Sequence, residues 1–122
     1  MAALTNLEIG AIVYGMIDGM SATVSGVLTS LVNQSVYTAE NYTGNDISVT
    51  SIDEKYQPAV TNLTVSNVLS TMEAQGIGTK TVSVGELKIS KGMVEGASQN
   101  FSKLAFSQLN SLGHSTSYYQ TY

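Results

Sequence analysis

The sequence predicts a mostly α-helical domain of about four helices, with a small β-hairpin between the third and the fourth. Two observations predict it. Four stretches repeat apolar residues at i, i+3 and i+4, the pattern of a helix with one buried face. One stretch, positions 79–92 (TKTVSVGELKISKG), alternates with period two instead. Val82 and Val84 share one phase there, Leu87 and Ile89 the opposite one. Successive strand side chains point to opposite faces, so a phase slip across Gly85-Glu86 marks a two-residue turn or a bulge. A chain of 122 residues suits one domain with a modest core. The helical part fills positions 1–113, and an extended tyrosine-rich tail occupies 114–122.

The first helix opens on Thr5-Asn-Leu-Glu8, which has the form of a capping box: the threonine accepts from the third helical amide while the glutamate reaches back. Ile9, Ile12, Val13, Met16, Ile17 and Met20 form its apolar stripe. Gly10, Gly15 and Gly19 each weaken such a helix by roughly 1 kcal/mol relative to alanine. Close packing of another backbone would account for them. The second helix runs over about 22–42, with Val24, Val27, Leu28, Leu31, Val32, Ser35, Val36 and Ala39 on its stripe, and Gly44 stands where a left-handed cap belongs.

Positions 47–52 read as a connector. Asp53-Glu54 then introduces the third helix, with Pro58 at its first position or after a short lead-in turn. This helix changes face partway: Tyr56, Ala59, Val60 and Leu63 point one way, and Val65, Val68, Leu69 and Met72 nearly opposite. A helix apolar on both sides is buried on both sides. It sits at the centre of the domain, or half of it packs on a neighbouring subunit. Gly76 is its expected cap. The fourth helix covers about 93–112, with Val94, Ala97, Phe101, Leu104, Ala105 and Leu112 on its stripe, Leu109 at the border and Phe106 off it. Gly113 closes it.

Composition narrows the function. Charged residues make up 11% of the chain, less than half of the roughly 25% usual in soluble domains. So few charges protect poorly against association, which makes burial in an assembly a natural expectation. The net charge is −4, with five lysines and no arginine. Without the bidentate guanidinium fork, specific nucleic-acid recognition is not expected. Cysteine is absent, excluding disulfides and thiolate metal sites. Residues 9–32 are long enough to cross a bilayer, but Asp18 lies in their midst and no basic residue precedes Lys55 to orient them.

Chemistry is sparse. His114 has no second nitrogen or sulfur ligand nearby in sequence and suits a helix end. Asp53-Glu54 fits a helix start and lacks the spacing of a glycosidase pair. Gly76-Ile-Gly-Thr-Lys80 follows a helix where a phosphate loop would follow a strand. The N-x-S/T triplets at Asn33, Asn41, Asn62 and Asn100 fall mostly within helices. No catalytic residue, cofactor or metal is expected. Tyr118, Tyr119 and Tyr122 in the tail are large amphipathic surfaces for a partner, or a frayed terminus.

Three stretches resemble the head–tail connector (adaptor, or head completion) proteins of tailed phages. Val36-Tyr-Thr-Ala-Glu-Asn-Tyr-Thr-Gly44 is similar to that family's second-helix ending, where an aromatic residue and a glycine precede a turn. Ile52-Asp-Glu-Lys-Tyr-Gln-Pro-Ala-Val-Thr-Asn-Leu63 resembles its third-helix opening. Thr81-Val-Ser-Val-Gly-Glu-Leu-Lys-Ile-Ser90 looks like its strand–Gly–acidic–strand motif before a last helix. The resemblance covers about 22–112. It implies a non-enzymatic virion structural protein at the head–tail junction, assembled in the host cytoplasm. Twelve copies would form a homo-oligomeric ring under the portal protein, extend the DNA ejection channel and receive the stopper or tail protein. At −4 each they would carry roughly −48, which disfavours adsorption of DNA passing through the bore. The implied subunit and portal contacts are Val82, Val84, Gly85, Glu86, Leu87 and Ile89 in the hairpin, then Phe106, Tyr118, Tyr119 and Tyr122, with no membrane involved. Another virion or tail assembly component, or a small membrane protein using 9–32, are the alternatives.

Overall fold

The computed structural model describes residues 3–18, 20, 22–74, 82–84, 87–89 and 94–112. They are mostly helical, in the order α1 (Asn6–Met16), β1 (Ile17–Asp18), α2 (Ala22–Ser25), α3 (Leu28–Thr43), α4 (Gln57–Ala74), β2 (Val82–Val84), β3 (Leu87–Ile89) and α5 (Val94–Asn110).

α1 starts as its sequence dictates. The Thr5 hydroxyl accepts from the Glu8 amide at 3.1 Å, and the Glu8 carboxylate accepts from the Thr5 amide at 2.9 Å. The helix stops at Met16, short of the expected Met20. Ile17 turns extended, and Ile17 and Asp18 pair antiparallel with Val84 and Ser83. Gly15 has already weakened the helix there, so the hydrogen-bonding edge of β2 outcompetes a further turn. β2 pairs in turn with β3, Val82 with Ile89 and Val84 with Leu87, giving the sheet order β1-β2-β3. Residues 85 and 86, and the flanks of the 79–92 stretch, lie outside the described residues.

The second expected helix is broken in two. The Val27 amide reaches back only three residues, to Val24, and Val27 is 41% exposed rather than on the buried stripe. This interruption, with β1 before it, divides 9–32 into short pieces. Among the described residues no helix is long and apolar enough to cross a membrane. α3 ends on Gly44 at φ +74°, the left-handed cap the sequence marks.

Positions 47–52 do more than connect. Leu4 and Ile52 exchange backbone hydrogen bonds at 3.0 and 2.7 Å, and Ile47 and Ile52 are core residues. A 3-10 turn (Glu54–Tyr56) then leads into α4, so Pro58 follows a lead-in turn. α4 is the axis of the fold: α1, α2, α3 and α5 all pack on it. Both of its apolar faces are buried within the chain, from Tyr56, Ala59, Val60 and Leu63 to Val65, Val68, Leu69 and Met72. Neither of these two apolar faces is left for a neighbouring subunit.

Hydroxyls line the helix contacts. Thr64 donates to Ser35 at 2.9 Å, and Ser98 sits 3.0 Å from the Ser66 hydroxyl and 2.6 Å from that of Ser70 while donating to the Ser66 carbonyl at 2.8 Å. Small side chains let α5 lie close on α4, and the satisfied hydroxyls fix the register. On α5 the buried line is Ser98, Ala105 and Leu109; Leu104, expected in the stripe, is 48% exposed.

Candidate functional site

The residues expected to contact partners fall into four groups. Val84 is 5% exposed and sits in the core, so it belongs to the chain's own packing. Val82, Leu87 and Ile89 are placed by their backbone pairing in the sheet. Gly85, Glu86, Tyr118, Tyr119 and Tyr122 lie outside the described residues, as does His114, expected only to suit a helix end. Phe106 is half-buried, with its ring 4.8 Å from that of Tyr42 and tilted by 49°. The Tyr42 hydroxyl donates to the Asn110 side chain at 2.7 Å. The aromatic residue off the α5 stripe thus finds its partner on α3 of the same chain.

A surface depression of about 570 Å³ lies where α3 ends and α4 begins, and Asp46, Asp53, Lys55 and Tyr56 contribute to its walls. The Asn45 side-chain Nδ2 donates to the Tyr56 hydroxyl at 3.1 Å, the Ile47 backbone amide to the Glu40 carboxylate at 2.9 Å, and the Lys55 ammonium stands 5.2 Å from the Tyr56 ring centroid. The Ile47–Glu40 bond ties the 44–56 segment to α3, and the Asn45–Tyr56 bond closes the segment on itself. Among the described residues no three His, Cys, Asp or Glu side chains stand close enough to hold a metal ion.

The outward faces of two helices carry the other notable surface. α1 has only Asn6 and Glu8 as polar residues. With Ile9 and Val13 turned inward, Leu7 is left 66% exposed, Tyr14 57% and Ile12 44%. Gly10 meets only side chains, Leu28 and Val32 of α3, at 3.7 and 3.8 Å from an added Cβ, and Gly15 has open space around it. Among the described residues, therefore, no backbone packs on these glycines. On α5, Ala97, Asn100, Phe101 and Leu104 enclose a dent of about 160 Å³. α1 and α5 both pack on α4, leaving their far sides to solvent. The sequence signal for the α1 surface is a helix apolar nearly all round, which one stripe of core contacts cannot consume. Comparison with family models, with curated proteins and with solved structures gives no match.

Proposed function

We propose that this chain is a non-catalytic assembly protein that works as a closed ring of identical copies, of the head–tail connector kind. The observation that carries the reading is the exposed, nearly uncharged far side of α1, with Leu7 and Tyr14 more than half exposed, in a chain whose α4 apolar faces are spent on its own core. Large apolar side chains left in water on a helix this poor in charge favour contact with another protein. The likeness of 36–44, 52–63 and 81–90 to connector proteins gives the reading its particular form: a ring between portal and tail, lined weakly enough to let DNA pass. The contacts between copies come from α1 and α5, not from α4.

Sedimentation of the purified chain, alone and mixed with a portal ring, tests this. A ring of twelve copies at 12.9 kDa each weighs roughly 155 kDa. Assembly near that mass together with co-sedimentation on the portal is the expected result. A chain that stays monomeric and ignores the portal contradicts it.

A further inference from the structure

We infer that the segment after α5, positions 113–122, docks back on its own chain, with its tyrosines seated in the apolar groove between α1 and the start of α4. The inference stands apart from the ring reading: it concerns a single copy and holds whether or not copies assemble.

The groove is a dent of about 330 Å³ with largely apolar walls. Leu4 and Ile12 line it from the α1 side, Pro58 and Thr61 from α4, and Glu54 and Asn62 contribute as well. A cavity of roughly 150 Å³ accepts a benzene ring, so this one has room for a phenol. Ile12 is left 44% exposed at its edge.

Asn62 ties the groove to the end of α5. This wall residue donates from its side chain to Gln108 at 2.9 Å. α5 runs antiparallel to α4, since Ser98 meets Ser66 and Ser70 while Gln108 meets Asn62. Its C-terminal end therefore points toward the start of α4, where the groove lies. The Leu112 amide still bonds to the Leu109 carbonyl, so the helical course holds that far. Leu112 follows Gln108 by four residues, about 6 Å of rise, on the same flank of the helix. The chain thus leaves the described residues beside the groove. Tyr118 comes six residues later, up to about 20 Å of extended chain, so reach does not limit docking.

The chemistry of the tail suits this site. Tyr118, Tyr119 and Tyr122 each combine an apolar body with a polar tip. Walls of leucine, isoleucine and proline edged by threonine and asparagine match both ends. The tail has no aspartate, glutamate, lysine or arginine, so Glu54 repels nothing in it and no such charge has to be desolvated. A tether this short also holds the tail at roughly millimolar effective concentration, which a separate partner must exceed.

Disulfide closure in the full chain tests the docking. Ile12→Cys places a thiol at the groove edge, and Gln120→Cys another between Tyr119 and Tyr122. The native chain has no cysteine to compete. Leu7→Cys with Gln120→Cys is the reference, because Leu7 lies on the far side of α1 and is no part of the groove. Under dilute oxidation the first pair is expected to close within one chain at least about tenfold faster than the reference, read by intact mass and non-reducing gel. Replacing Tyr118, Tyr119 and Tyr122 together with serine is expected to bring it down to the reference rate. Equal rates for the two pairs, or a rate indifferent to the serine substitutions, overturn the docking. Closure found only as covalent dimers overturns it too, and assigns the tail to a neighbouring copy. If Ile12→Cys alters the far-UV circular dichroism, Thr61→Cys on the other wall takes its place and the same comparisons decide.

Discussion

Replacing Leu63 or Leu69 with alanine probes the two faces of α4 separately. The two positions lie about 120° apart around the helix, one on each apolar face, and both are buried within a single copy, at 4% and 0% exposure. Leucine-to-alanine changes in a packed core cost about 2–5 kcal/mol, the transfer term plus the cavity left behind. Total stability for a domain of this size is about 5–15 kcal/mol, so either change removes a large part of it. For a loss of ~3 kcal/mol the melting temperature drops by about 10 °C or more. Urea unfolding, followed by circular dichroism at two protein concentrations well apart, is the assay. Both substitutions are expected to lower the midpoint, and the difference from wild type is expected to be the same at both concentrations. A face used between subunits behaves otherwise: its substitution costs little once the assembly is diluted apart. A loss below about 1 kcal/mol at either position, or a loss that vanishes on dilution, refutes the claim that α4 is enclosed by its own chain.

Gly15→Ala is expected to raise the stability of the single copy by up to about 1 kcal/mol, since the added methyl meets open space, and Gly10→Ala stabilises comparably. Melting temperatures check both, and a fall at either position contradicts the room around it. Gly44→Ala costs about 1–2 kcal/mol, because the cap holds φ at +74°, and a stability unchanged in urea contradicts that geometry. Phe106→Ala removes the ring packed on Tyr42 and costs about 1–3 kcal/mol with no change in assembled mass; lost assembly at unchanged stability returns Phe106 to the set of partner contacts.

Local signals carried well from sequence to structure. The Thr5–Glu8 capping box and the Gly44 cap are short-range chemistry, complete within a few residues, and both stand where the pattern puts them. α4 with its two apolar faces is equally legible, and its central position follows once both faces find cover within the chain. Tertiary competition explains what the pattern hides. Ile17 fits a helical stripe and a strand equally well; only the presence of β2 some 65 residues later decides for the strand. Val27 continues the α3 periodicity, yet the chain tightens there and leaves it exposed. Leu104 and Ala105 are neighbours in sequence, and hydroxyl pairing of Ser98 with Ser66 and Ser70 sets the rotation of α5 that buries Ala105 and exposes Leu104. Periodicity counts apolar residues and so passes over a serine line that defines the buried face. The same count also passes over the exposure of Leu7 and Tyr14, which lie off the α1 stripe.

The mass of the assembled wild-type protein, measured directly by native mass spectrometry or by sedimentation, bears most closely on the account as a whole. The account predicts a single closed species of many copies, which Tyr14→Lys on the exposed face of α1 reduces to 12.9 kDa monomers. A wild-type chain found at 12.9 kDa at every concentration at which it stays soluble contradicts it.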